Sequence, residues 1–195
     1  MGRRILIIDG HPDFRAERYI HALAQAFHEG AEQAGHEVRQ IRVSELNFPL
    51  LRRSEDFESG MPPPVIRRCQ EAIAWAEHLV ILFPLWLGSM PAALKALFEQ
   101  TFRPGFAFAA ASGGGMPKKL MTGKSAHVVV TMGMPALFYR WYFRAHSLKS
   151  LARNILGFVG IGPIRQSLIG MVATGDSAAR VEWLARMRTL GAKAR

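Results

Sequence analysis

The sequence predicts a doubly wound α/β domain in which a five-stranded parallel sheet of order 2-1-3-4-5 carries helices on both faces, three layers in all. Short runs rich in Val, Ile and Leu at residues 4–9, 78–83 and 126–131 lack polar alternation, as central parallel strands covered on both sides do. Stretches of helical period separate them, and each run empties into a turn built from Gly and Pro.

The elements follow in order. After the first strand, Gly10-His11-Pro12-Asp13 is a turn by composition, and Ile20, Leu23, Ala24, Phe27, Ala31 and Ala34 then fall at helical spacing up to Gly35. Val38, Ile41 and Val43 form a second strand. Residues 46–64, with Pro49, Gly60 and three prolines from Pro62, read as a long irregular excursion. A helix carrying Ile66, Cys69, Ile73 and Ala76 on one face leads to the third strand, and a further helix runs through Leu94, Leu97 and Phe98 to Phe102. Gly113 to Gly115 read as a flexible tip. Beyond the strand at 126–131, a helix is expected over residues 138–155, a fifth strand over 164–169 and a last helix over 177–194 opened by Asp176-Ser177.

At 195 residues, one domain spanning 1–195 is expected. A single Cys69 excludes an internal disulfide framework, and its helical neighbours Ile66 and Ile73 make it a core residue rather than a nucleophile. No signal-peptide core is visible, Leu6 stands where a myristoylation motif requires Ser or Thr, and Pro84, Gly88 and Pro91 interrupt the one apolar run long enough to consider for a membrane. A cytoplasmic protein without membrane attachment is the expectation. The formal charge of +10 suits anionic ligands, while the scatter of its Lys and Arg argues against a nucleic-acid surface. Thr122-Gly123-Lys124-Ser125 imitates the end of a P-loop, but Lys118 occupies the place of its first glycine and a strand follows where a helix is needed.

The first loop lacks G-x-G-x-x-G, so the flavodoxin-like order is expected rather than the Rossmann one. Its switch point lies between the first and third strands, which brings the loops at 10–16 and 84–91 face to face with the loop at 131–135 alongside. A helix N-terminus with Arg15 and Arg18 nearby suits a phosphate. The other two loops offer backbone donors and flat apolar surface to a planar ring.

The run Phe83-Pro84-Leu85-Trp86-Leu87-Gly88-Ser89-Met90-Pro91-Ala92-Ala93-Leu94-Lys95, the Gly10-His11-Pro12 turn and Pro104-Gly105-Phe106-Ala107 resemble the flavodoxin-like NAD(P)H:quinone oxidoreductases over residues 4–170. The resemblance implies a bound FMN or FAD at a homodimer interface, NAD(P)H as hydride donor, a quinone or similar small electron acceptor, and no metal. It assigns Pro84, Leu85, Trp86, Leu87 and Gly88 to one wall of the flavin ring and Thr131, Met132, Gly133 and Met134 to the other, with His11 near the flavin phosphates. Tyr139 falls on the family's tyrosine at the flavin carbonyl edge and His146 within one residue of its histidine partner, a catalytic pair that accommodates charge on the reduced ring. Leu87 stands at the family's usual tryptophan, Phe108 and Ala110 at its substrate-gating tyrosines, and Ala16, Glu17 and Arg18 where Ser, Phe and Asn commonly hold phosphate. Two other readings share the fold: a flavodoxin-type electron carrier without a substrate, and a basic nucleic-acid-binding regulator.

Overall fold

The computed structural model describes residues 2–109, 115–173 and 176–195. Strand β1 (Arg4–Asp9) leads into α1 (Tyr19–Gln33), followed by β2 (Glu37–Arg42), the short α2 (Ser54–Glu58), α3 (Pro64–Trp75), β3 (His78–Pro84) and α4 (Ala92–Thr101). A two-residue ribbon of β4 (Phe108–Ala109) and β5 (Lys118–Lys119) precedes β6 (Ser125–Thr131). Then come α5 (Ala136–Trp141), α6 (His146–Ser150), a π-helical turn (Leu151–Leu156), α7 (Gly157–Val159), β7 (Ile164–Ile169) and α8 (Ser177–Ala192).

The main sheet is parallel throughout and ordered β2-β1-β3-β6-β7, which is the predicted 2-1-3-4-5 once its strands alone are counted. Because side chains alternate along a strand, the central strands feed two separate cores. Leu6, Ile8, Leu79, Ile81, Val128 and Val130 meet residues of α3 and α4 on one face. Ile5, Ile7, Val80, Leu82 and Val129 meet α1 and α8 on the other. Burying an Ile or Leu fully contributes about 1.5–3 kcal/mol, so these strands dominate the stability of the sheet. Helices α1 and α8 approach so closely that a Cβ on Gly30 would lie 2.0 Å from the Arg188 carbonyl oxygen and one on Gly191 2.1 Å from that of Phe27. Asp176 caps α8 as expected, its Oδ1 accepting the Ala178 amide at 3.2 Å.

Several expectations are corrected. The helix expected over 138–155 is broken, because Arg144 and Ala145 both adopt left-handed backbone (φ 51° and 48°) and end the helical path of α5 before α6 begins. The expected apolar stripe is broken with it: Phe138, Trp141 and Tyr142 are exposed, and the buried residues are Tyr139, Ala145 and Leu148, followed by Leu151 and Leu156 of the π-helical turn. Val43 belongs to a 3₁₀ turn after β2 rather than to the strand. The excursion at 46–64 contains α2 and is held down: buried Arg103 donates from Nη1 to the carbonyls of Asp56 (2.7 Å) and Gly60 (2.9 Å). The β4–β5 ribbon is not foreshadowed by any apolar run or period in the sequence. Of the glycine tip, Gly113 and Gly114 lie outside the described residues, as does Ala110. Lys124 turns from the P-loop-like stretch to the end of α3, donating to the carbonyls of Ala74 (2.7 Å) and Ala76 (2.5 Å). Cys69 is buried, and burial pushes its thiol pKa up. Among the described residues, no helix is long and apolar enough to cross a membrane.

Candidate functional site

The carboxyl ends of β1, β3 and β6 lie side by side, so the loops that leave them share one crevice. The first loop, residues 10–18, is shaped by its own side chains. Asp9 Oδ1 accepts the His11 amide at 3.2 Å, His11 Nδ1 accepts the Asp13 amide at 3.0 Å, and Asp13 Oδ1 accepts the Arg15 amide at 3.0 Å. Three alternate residues thus each take the N–H two positions on, and those amides are committed to the loop. As an acceptor at Nδ1, His11 carries its ring proton on Nε2. Burial, and after it the charge of His21, lowers the pKa of His11 and holds the ring neutral.

Asp9 is buried at the end of β1, and its Oδ2 meets Nδ1 of His21 on the first turn of α1. The other nitrogen of His21 lies 2.9 Å from the Asp13 carbonyl oxygen. An imidazolium satisfies both acceptors, whereas a neutral ring satisfies one. Asp13 itself receives both arginines: Arg15 through Nε (2.9 Å) and Nη2 (2.7 Å), Arg18 through Nε (2.7 Å) and Nη2 (2.5 Å). Hydrogen bonding from Arg15, ahead of that from Arg18, holds the Asp13 carboxyl well below the usual carboxylate range. The phosphate-binding arginines expected from the sequence are therefore engaged by an internal carboxylate. Helix α1 begins without a side-chain cap and without an acidic residue in its first turn. Its leading amides, at Tyr19 and Ile20, and those of Ala16 and Glu17 have no acceptor among the described residues.

The second loop starts where Pro84 closes β3. The Leu85 amide donates to the Thr131 carbonyl at 2.7 Å and continues the β3–β6 ladder. Trp86 and Ser89 then exchange backbone hydrogen bonds of 2.8 and 2.9 Å around Leu87 and Gly88. With φ of 46° and 77° at those two positions, this is a primed two-residue turn of the kind that favours Asn-Gly. Leu87 occupies its first corner fully exposed. Trp86 is half-exposed and meets the His11 ring edge-on at 5.6 Å, which joins the first loop to the second.

The third loop leaves β6 through buried Thr131 and Met132, whose amide donates to the Ile169 carbonyl at 2.9 Å. Gly133 is exposed, and nothing lies within 4 Å of where a Cβ would stand. The amides of Leu87, Gly88, Gly133 and Met134 have no acceptor among the described residues. Beyond the loop, Tyr139 is buried, and its hydroxyl lies 2.7 Å from Ser147 Oγ. The Tyr139 hydroxyl is paired with Ser147 and not with His146, which is exposed at the start of α6. Ser147 instead joins Trp86, Leu87, Met90, Pro91 and Ile155 around a cleft of about 490 Å³. Phe108 lies on the ribbon, 5.0 Å from Phe158 in an edge-on contact.

Sequence reasoning missed Asp9, His21 and Ser147. Asp9 reads as the polar end of a buried strand and His21 as a helix residue. Ser147 falls out of register with Tyr139 because Arg144 and Ala145 break the helix between them.

A parallel α/β sheet with free amides and an apolar cleft at its switch point places the chain among the open doubly wound sheets, in which ligands bind outside the carboxyl ends of the strands. A family model described as a flavodoxin-like fold, Flavodoxin_2, matches residues 3–190, and the chain belongs to that family. It is 26% identical over 179 residues to a protein of Haemophilus influenzae described as an uncharacterized NAD(P)H oxidoreductase, covering 90% of this chain and 87% of the relative. Over 86 residues it is 34% identical to FMN-dependent NADH:quinone oxidoreductase 1 of Colwellia psychrerythraea, covering 44% of this chain and 42% of that one. Among solved structures, an NAD(P)H:quinone oxidoreductase from Methanothermobacter marburgensis is similar with a TM-score of 0.82 and 25% identity, covering 99% of this chain and 97% of the other.

Proposed function

We propose that the protein is a flavin-dependent oxidoreductase that takes reducing equivalents from NAD(P)H and passes them to a quinone or similar small acceptor, with FMN as the flavin. The observation that carries this reading is the meeting of two sets of free amides at one switch point. One set, at Ala16, Glu17 and the uncapped start of α1, suits a phosphate. The other, at Leu87 and Gly88 on the loop after β3 and at Gly133 and Met134 on the neighbouring loop after β6, accompanies an apolar cleft that Trp86, Leu87 and Met90 line and that is of a size for a planar ring. The donor chemistry therefore fits a flavin mononucleotide. The name of the Colwellia psychrerythraea relative supports FMN, NADH and a quinone, that of the Methanothermobacter marburgensis protein NAD(P)H and a quinone, and that of the Haemophilus influenzae relative NAD(P)H oxidation.

In this reading a bound flavin would supply the hydride chemistry, and the protein supplies binding, orientation and exclusion of water. His11 Nε2 and the α1 amides hold the phosphate, with Arg15 and Arg18 shared between it and Asp13. Pro84 ends β3 so that Leu85 to Gly88 lie along one side of the ring, and Thr131 to Met134 lie along the other. The Tyr139 hydroxyl, fixed by Ser147, donates toward negative charge at the carbonyl edge of the ring. His146, exposed at the start of α6, is not given this task.

Assembly as a homodimer belongs to the proposal. Phe138 and Tyr142 are exposed and stack at 5.0 Å, and Phe143 sits edge-on to both, giving one exposed aromatic surface among the described residues. Sedimentation at micromolar concentration tests the dimer. Steady-state oxidation of NADH and NADPH with a soluble quinone tests the activity, and a flavin-loaded protein that fails to oxidise either would overturn it.

A further inference from the structure

A second and larger cleft, of about 830 Å³, lies between the α5–α6 turn, strand β7 and α8, and shares no lining residue with the cleft at Trp86. Arg140, Arg144, Lys149 and Arg186 line it, and no Asp or Glu does. Among the described residues none of the four cations forms an ion pair or donates a side-chain hydrogen bond, unlike Arg15, Arg18, Arg42, Arg53 and Arg188. Four like charges gathered on one concave surface repel one another, and an anion in the cleft converts that repulsion to attraction.

The same wall carries Trp141 and Trp183, and the Arg186 guanidinium lies over the Trp183 ring at 4.6 Å. A guanidinium held over an indole face has N–H groups left to donate to a phosphate. At the floor of the cleft, β7 is an edge strand with one ladder unpaired, and exposed Gln166 offers an amide donor and acceptor beside it. Cations, stacking surfaces and an in-plane hydrogen-bonding edge therefore converge on one volume.

We propose that this cleft binds a phosphate-bearing aromatic ligand of the nucleotide class, at a site separate from the strand-end crevice. The proposal stands on the cleft alone and does not depend on the flavin reading. It also gives the basic charge of the chain a local purpose: Leu137 and Trp141 line this cleft, one helical position before the Phe138 and Tyr142 of the proposed dimer surface.

The test titrates the full-length protein at low salt with ADP, with inorganic pyrophosphate and with adenosine, read by tryptophan fluorescence and calorimetry. The expected result is saturable ADP binding at least tenfold tighter than that of either fragment, weakened by added salt. The double substitution Arg140→Gln/Arg186→Gln should weaken it at least tenfold, and Trp183→Leu severalfold, with circular dichroism unchanged. Pyrophosphate binding as tightly as ADP would reduce the cleft to a non-selective basic patch and overturn the proposal. ADP binding that survives both variants would place the nucleotide elsewhere, and absence of binding at low salt would likewise overturn it.

Discussion

Asp9 and His21 tie the end of β1 to the first turn of α1: a carboxylate 1% exposed meets the imidazole Nδ1, whose other nitrogen reaches the Asp13 carbonyl at 2.9 Å. Deleting His21 leaves the buried Asp9 carboxyl without one of its hydrogen-bond partners, which costs about 1–3 kcal/mol. His21→Ala should therefore lower the urea midpoint substantially, and Asp9→Ala/His21→Ala together should cost less than the sum of the singles. Strict additivity in that cycle would show that the two side chains do not act as a pair.

Leu87 holds a left-handed conformation (φ 46°) while fully exposed, so it carries strain without burying surface. Asn tolerates that conformation better, and Leu87→Asn should stabilise the fold by about 0.5–1 kcal/mol. If the exposed side chain serves the acceptor, the same variant should raise the quinone KM while leaving the NAD(P)H KM unchanged. A stabilised variant with both constants unaltered would leave Leu87 no role in the acceptor site.

Tyr139→Phe removes one hydroxyl from the pair with Ser147, at a cost of about 1 kcal/mol in stability. Its effect on turnover should be larger, a fall in kcat of roughly tenfold to a hundredfold, if that hydroxyl meets charge developing on the ring. Ser147→Ala should have the same direction with a smaller size, and His146→Ala little effect. A larger loss in His146→Ala than in Tyr139→Phe would reverse the assignment.

The strands and the sheet order were legible because a central parallel strand needs apolar residues on both faces, and the unbroken apolar runs at residues 5–8, 79–83 and 128–130 meet that need. The loops were located for the same reason, as Pro84, Gly88 and Pro91 punctuate the sequence where a strand ends. What the side chains do inside those loops was not legible. Arg15 and Arg18 look like free phosphate ligands until the chain folds Asp13 between them, and nothing in composition predicts that return. The exchange of His146 for Ser147 beside Tyr139 has a similar origin, since two consecutive left-handed residues that are not glycine leave a helical period unchanged on paper.

Acid should destabilise the fold before any carboxylate titrates. His78 is buried with Nδ1 2.8 Å from Ser125 Oγ, and burial, then the charge of Arg3, pushes its pKa down to about 3. Burial also lowers that of His127, held between Ser167 and the Arg195 carbonyl. Both rings are neutral in the fold, while the unfolded chain takes up protons near pH 6.5. The His78 contribution is thus fully present above about pH 6.5 and is lost as pH falls toward 3, at about 1.4 kcal/mol per pH unit, and His127 adds a loss of the same sign. Urea unfolding at pH 7.5, 6.0 and 5.0 should show that decline, and His78→Gln should flatten it. A midpoint independent of pH across this range would contradict buried neutral histidines.

The most direct test of the proposed activity is an FMN titration of the purified protein followed in the visible region, with NAD(P)H and then a soluble quinone added to the complex. The expected result is one FMN per chain, bleached by NAD(P)H and restored by the quinone. A protein that takes up neither FMN nor FAD would contradict it.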